Sequence, residues 1–161
     1  MFGVLIDPDK KNVKELLQIV KICNESAVDY FLVGGSVIKN GDIQKTTRLI
    51  KENSKKPVIL FPGDPKQISS YADAILFLSL ISGRNPDFLI GHHVSAAPIL
   101  RKTNLEVIPT AYLLVDCGTK TAAIRVSETT PIAYNDNETA AKTALTGEYL
   151  GLKLTYLDGG S

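Results

Sequence analysis

The chain has 161 residues, 44% of them hydrophobic and 22% charged, and its 18 Lys+Arg against 17 Asp+Glu leave a formal net charge of +1. That is the profile of one ordinary folded domain, and charge so near zero gives no long-range footprint for nucleic acid or an anionic membrane. Two cysteines 94 positions apart, Cys23 and Cys117, and an N-terminus without a basic region or cleavage site disfavour a disulfide framework, a structural zinc and a secretory signal, so a cytoplasmic protein is expected.

Short apolar runs alternate with stretches of helical period, the pattern of a parallel sheet wrapped by helices. Gly3 to Ile6 reads as a first strand, closed by the turn Asp7-Pro8-Asp9-Lys10. Val13, Leu16, Leu17, Val20, Cys23 and Ala27 then recur at three- and four-residue steps, the signature of an amphipathic helix. A second strand, Tyr30 to Val33, ends at Gly34-Gly35-Ser36 and leads to a helix around Ile43 to Asn53. Pro57 to Phe61 and Ala74 to Leu78 read as the third and fourth strands. Residues Pro86 to Thr103 read as partly helical with a break at Pro98. A fifth strand spans Glu106 to Val115, and the segment Cys117 to Asp136 reads as a hairpin or loop. Asn135 or Asn137 caps a helix through Ala140, Ala141, Ala144 and Leu145, Gly151 ends it, and Lys153 to Leu157 is a sixth strand.

Six such units suit either an open doubly wound sheet or an incomplete (β/α)₈ barrel. Polar and glycine residues after nearly every strand favour the barrel, whose active-site rim is built from such loops. The turn after the first strand also lacks a glycine-rich dinucleotide fingerprint. A whole barrel takes about 250 residues, so the chain is expected to be a single domain, 1–161, that lacks the last two strands.

Several residues at strand ends have chemistry to offer. Asp7 and Ser36 present hard oxygen donors, and magnesium is commonly held by one or two carboxylates with water and substrate phosphate completing its octahedron. From spacing alone, the commoner role for Asp7 is a cap on the next helix, with Pro8 in the first turn. Gly34-Gly35-Ser36 and Gly159-Gly160-Ser161 expose backbone N–H groups suited to phosphate, or simply make turns. Tyr156 and Asp158 alternate with Leu157 and therefore share a strand face, where a core tyrosine and a turn aspartate are the bland alternative. Arg84, in Ser82-Gly83-Arg84-Asn85-Pro86, offers a bidentate grip on diphosphate, although a solvated arginine is the commoner fate. His92 and His93 are adjacent and diverge on a helix, so they read as structural or surface residues, and Cys117 has no evident base.

Four blocks carry more than spacing: Phe2 to Lys10 (FGVLIDPDK), Tyr30 to Ser36 (YFLVGGS), Ala74 to Pro86 (AILFLSLISGRNP) and Gly151 to Ser161 (GLKLTYLDGGS). In this order they resemble the geranylgeranylglyceryl phosphate synthases and the related bacterial heptaprenylglyceryl phosphate synthases, and the chain is similar to bacterial members close to the archaeal enzymes. The resemblance runs through essentially the whole chain. It implies a TIM barrel, of which this chain holds about the first six βα units, and a magnesium-dependent prenyltransferase. That reaction joins a polyprenyl diphosphate to the 3-hydroxyl of sn-glycerol 1-phosphate and releases diphosphate. The resemblance places magnesium at Asp7 and Ser36. It makes Tyr156, Leu157, Asp158, Gly159, Gly160 and Ser161 the first part of the glycerol phosphate loop, Y-L-E-A-G-S-G in the family. Asp158 then stands where the family often has Glu, as base toward the glycerol hydroxyl with Tyr156 as orienting group, and Gly159 replaces Ala. No nucleic acid partner is implied; peripheral membrane contact through the lipid substrate and a homo-oligomer are. Against this stand another phosphate-binding barrel enzyme of sugar-phosphate isomerase type, and an inactive fragment.

Overall fold

The computed structural model describes residues 1–160. The strands are β1 (Gly3–Ile6), β2 (Tyr30–Val33), β3 (Val58–Leu60), β4 (Ala74–Ser79), β5 (Glu106–Leu114) and β6 (Leu154–Asp158). The α-helices are α1 (Val13–Asn24), α2 (Ile43–Asn53), α3 (His92–Leu100), α4 (Ala122–Ser127) and α5 (Asn137–Tyr149), with one π-helical turn at Asp87–Gly91 running into α3. In the sheet each strand's neighbours are its neighbours in sequence, from β1 to β6. The chain forms two compact units: Met1–Leu76 with Pro98–Val107, and Phe77–Ala97 with the described residues from Ile108 onward.

In the first unit β1, β2, β3 and the start of β4 pair in parallel, with Ile6 opposite Val33, Val33 opposite Leu60, and Leu60 opposite Ile75. The central strands read as continuous apolar runs because both their faces are covered: Phe31, Val33, Val58 and Leu60 are fully buried. The helix α1 begins at a capping box, in which Asn12 Oδ1 accepts from Glu15 N at 3.0 Å and Glu15 Oε2 accepts from Asn12 N at 3.1 Å. Its apolar stripe buries Leu16, Val20 and Cys23. Burying one such side chain contributes about 1.5–3 kcal/mol, which outweighs any local propensity. α2 is capped by Asp42 and buries Thr46, Thr47 and Ile50. From β3 to β4 the chain makes its crossover without a helix, tied down by buried Gln67, Ile68 and Ser69.

In the second unit β5 and β6 pair in parallel, Tyr112 opposite Tyr156 and Leu114 opposite Asp158. Ala111, Leu113 and Ile132 form the local core, against which Ile81, Ala140, Ala144 and Leu152 pack. Pro109 is tolerated inside β5 because its carbonyl does the bonding, accepting from Lys153 N at 2.8 Å. α5 ends in a Schellman motif: Leu152 N donates to Gly147 O, Gly151 N donates to Glu148 O, and Gly151 takes φ +79°.

Three expectations need correction. Pro98 lies inside α3 instead of breaking it. It stands in the last turn and on an exposed face, so the Val94 carbonyl that loses a helical partner can be met by water. The segment from Cys117 to Asp136 contains a helix, α4, which is capped by Thr121 and stopped at Glu128 with φ 53°. The cap of α5 is Asp136, whose carboxylate accepts from Thr139 N at 3.0 Å, while Asn137 is already helical.

Candidate active site

The first unit sets the ends of β1, β2 and β3 against one another. Asp7 does not cap α1, whose cap is Asn12, five residues later; instead Asp7 Oδ1 accepts from Asp9 N at 3.0 Å and closes a turn. Its Oδ2 lies 3.7 Å from Lys10 Nζ. Gly35 lies directly over this carboxylate: a Cβ there would meet Asp7 Oδ1 at 3.3 Å and Oδ2 at 3.4 Å. Ser36 follows Gly35 in the chain, so its backbone is carried next to the Asp7 carboxylate, the other position expected to hold magnesium. The approach is possible because Gly34 is pressed on the Phe61 carbonyl, where a Cβ would come within 1.9 Å, and Gly63 is pressed on Gly35 O and Ser36. Buried Gln67 staples the same two loops, donating to Gly35 O at 2.9 Å and accepting from Gly63 N at 3.1 Å. Asp9 accepts from the backbone amides of Lys39, Asn40 and Gly41, and the Lys39 and Asn40 amides hold its carboxyl below the usual carboxylate range.

A carboxylate and a hydroxyl, both oxygen donors and both part-exposed, fit a hard dication that keeps several waters and binds substrate phosphate. They do not fit a metal needing an all-protein cage, since among the described residues no group of three His, Cys, Asp or Glu could hold one.

The second unit builds its site on the end of β6. Asp158 and Tyr156 are half-buried on one strand face while Leu157 is 56% exposed on the other. Both oxygens of Asp158 are acceptors: Oδ1 takes Gly160 N at 2.8 Å, and Oδ2 takes the phenol of Tyr112. Tyr112 sits beside Tyr156 with ring centroids 5.9 Å apart. Burial first, and then the hydrogen bond to the Asp158 carboxylate, raise the Tyr112 phenol far above its ordinary range. It therefore stays protonated and acts as a donor. The Gly160 amide is engaged by its own Asp158, and Gly160 packs on Cys117 Sγ; Gly159 has open space around it.

Arg84 turns back on its own loop, donating from Nη1 to Gly83 O at 2.6 Å and Ile81 O at 3.4 Å. The same loop is anchored by Ser82 Oγ, which accepts from Leu114 N at 3.0 Å, and by Asn85, which donates to Ser127 O at 3.1 Å. His92 packs edge-on to Phe88, and buried His93 packs at a tilt against Phe77, ring centroids 4.2 Å apart, with Nδ1 lacking a partner among the described residues. Burial holds His93 below its ordinary pKa, in the neutral form. Ser161 lies outside the described residues. Sequence reasoning missed Tyr112; only its register opposite Tyr156 marks it.

A family model described as the PcrB family matches residues 2–161. The chain belongs to the PcrB family. It is 51% identical over 160 residues, 99% of its length, to the geranylgeranylglyceryl phosphate synthase of Spirosoma linguale, and 43% identical over 159 residues to that of Pyrococcus furiosus. It spans 64% and 62% of those relatives' lengths. Among solved structures it resembles the (S)-3-O-geranylgeranylglyceryl phosphate synthase of Thermoplasma acidophilum in complex with its substrate sn-glycerol-1-phosphate. There the TM-score is 0.92 and the identity 34%, covering 100% of this chain and 65% of that one. The wild-type GGGPS of Thermoplasma volcanium matches with the same TM-score, 37% identity and coverage of 100% and 64%. The chain thus has the α/β TIM-barrel fold class, with six strands and no helix between the third and the fourth, where a βα unit was expected. Among its described residues no helix is long and apolar enough to cross a membrane.

Proposed function

We propose that the protein is a prenyltransferase that joins a geranylgeranyl-type polyprenyl diphosphate to sn-glycerol 1-phosphate, forming 3-O-prenylglyceryl phosphate and releasing diphosphate. The observation that carries this reading is the match, over the whole chain at TM-score 0.92, to a solved synthase whose complex holds sn-glycerol-1-phosphate.

In this reading the glycerol hydroxyl oxygen bonds to the allylic C1, the C1–O bond to diphosphate breaks with its electron pair, and the hydroxyl proton passes to Asp158. A carboxylate in that position needs a fixed orientation, because general-base efficiency depends on hydrogen-bond reach to the proton it takes. Tyr112 and the Gly160 amide supply it by fixing Oδ2 and Oδ1. Tyr156 sits at the opposite position on β6 and forms the wall beside Tyr112. Asp7 and Ser36 would hold magnesium, which supplies positive charge where the leaving diphosphate develops its negative charge. Arg84 would offer a cation to a phosphate group of the substrate once released from its loop carbonyls. The reading carries with it a cytoplasmic, homo-oligomeric enzyme in peripheral contact with the membrane that supplies its lipid substrate.

The test is label transfer in the full-length protein. With radiolabelled sn-glycerol 1-phosphate, geranylgeranyl diphosphate and magnesium, label should pass into the organic phase, and chelation should prevent it. An absence of labelled lipid, or isomerisation of a sugar phosphate in its place, contradicts the proposal.

A further inference from the structure

We propose that Asp9 is a positioning residue for the candidate metal loop: its carboxylate latches the backbone amides of Lys39, Asn40 and Gly41 and thereby fixes Gly35-Ser36 against Asp7. The inference rests on the reading of Asp7 and Ser36 as magnesium positions.

The stretch from Gly34 to Asp42 joins β2 to α2 without regular structure. Left to itself, a loop of that length explores many conformations and cannot hold a hydroxyl at a fixed distance from a carboxylate 29 positions away. Its first residues are braced, Gly34 N on Ile6 O at 3.1 Å and Gly35 O on Gln67. Its far end is held by one side chain. Asp9 Oδ2 accepts from Lys39 N at 2.7 Å, and Oδ1 accepts from Asn40 N at 2.9 Å and from Gly41 N. Three successive amides converging on one anion form a concave nest. Gly41 is in van der Waals contact with the turn that carries Asp9, since a Cβ there would come within 2.6 Å of the Pro8 carbonyl carbon. The turn itself is closed independently, by Asp7 Oδ1 on Asp9 N and by Lys10 N on Asp7 O. Asp9 is therefore free to face the loop, and Asp7 is held at the other end of the same short segment.

Asp9 is exposed, and hydrogen bonds made in water add little net stability. Its effect is on geometry. Residues that orient metal ligands typically change metal affinity by about 10–100-fold when removed.

The experiment uses the full-length protein and Mn²⁺ as the probe, titrated by calorimetry, together with amide hydrogen exchange of the metal-free protein. Asp9→Ala should weaken Mn²⁺ binding by about tenfold or more and speed exchange at residues 39–41, with the melting temperature close to that of the wild type. Asp9→Asn keeps the acceptor for Asn40 and Gly41 but opposes a donor to Lys39 N, and should fall between. Gly41→Ala, which pushes the loop off Pro8 with Asp9 intact, should also weaken Mn²⁺ and serves should Asp9→Ala not fold. Glu15→Ala, which removes the α1 capping box from the same segment, should lower the melting temperature and leave Mn²⁺ affinity unchanged. Wild-type exchange and Mn²⁺ affinity in Asp9→Ala, or equal weakening by Glu15→Ala, overturns the proposal, as does a wild-type protein that binds no Mn²⁺. A protein in which Asp9→Ala weakens Mn²⁺ but the wild type transfers no prenyl group supports the latch and contradicts the prenyltransferase reading.

Discussion

The two units hold their candidate residues by different means. In the first, the ends of β1, β2 and β3 are fitted backbone to backbone: Gly34 on the Phe61 carbonyl, Gly63 on Gly35 and Ser36, Gly41 on Pro8. In the second, position comes from sheet register, which sets Tyr112 opposite Tyr156 and lets its phenol reach Asp158 from the neighbouring strand. A backbone fit has no give, whereas a side-chain contact can relax. The first unit should therefore fail on adding a methyl group, and the second on losing a polar atom.

Gly34→Ala should have the largest effect, because its Cβ would lie 1.9 Å from a backbone oxygen and no rotamer change relieves that. A loss of more than about 3 kcal/mol of stability is expected, measured by chemical denaturation. Gly160→Ala is the counterpart in the second unit. Its Cβ would meet the Cys117 and Thr121 side chains and no backbone atom, though at φ +85°, so about 1–2 kcal/mol is expected from the backbone conformation. Equal losses would erase the contrast between the units.

Tyr112→Phe deletes one hydroxyl and leaves the packing. Hydrogen bonds to charged groups contribute about 1.5–3 kcal/mol, so kcat for prenyl transfer should fall roughly 10- to 100-fold with the fold intact by circular dichroism. A kcat within twofold of wild type would show that register, not the phenol, orients Asp158.

The smallest effect concerns acid stability. His93 is held neutral, its pKa below the ordinary 6.5. As pH falls below 6.5 the unfolded chain takes up a proton that the folded chain refuses, so stability conferred at higher pH is lost on acidification. His93→Leu removes that term, and its melting temperature should fall less than wild type's between pH 7.5 and pH 5. Parallel declines would show that His93 does not contribute.

The strands were legible because burial on both faces demands short apolar runs, and β1 and β2 have the bounds that the runs suggest. The helix α4 was not, since Thr121 to Ser127 has neither length nor period to distinguish it from a loop. The DPDK turn was legible as a motif, but the bonds from Asp9 to residues 39–41 span 30 to 32 positions and leave no local pattern. Tyr112 was hidden for a related reason: in Thr110-Ala111-Tyr112-Leu113 a tyrosine reads as sheet filler until the neighbouring strand is in place. Arg84 offered a cation to diphosphate by composition, and its bonds to Ile81 O and Gly83 O became visible only with the loop folded.

The most direct measurement is the turnover number of Asp158→Ala for prenyl transfer in the full-length protein, at saturating magnesium and both substrates. Removal of a general base should lower kcat by about 10²- to 10⁴-fold while glycerol phosphate still binds, and Asp158→Glu, which keeps the carboxylate, should restore most of it. A kcat for Asp158→Ala within about threefold of wild type would contradict the account.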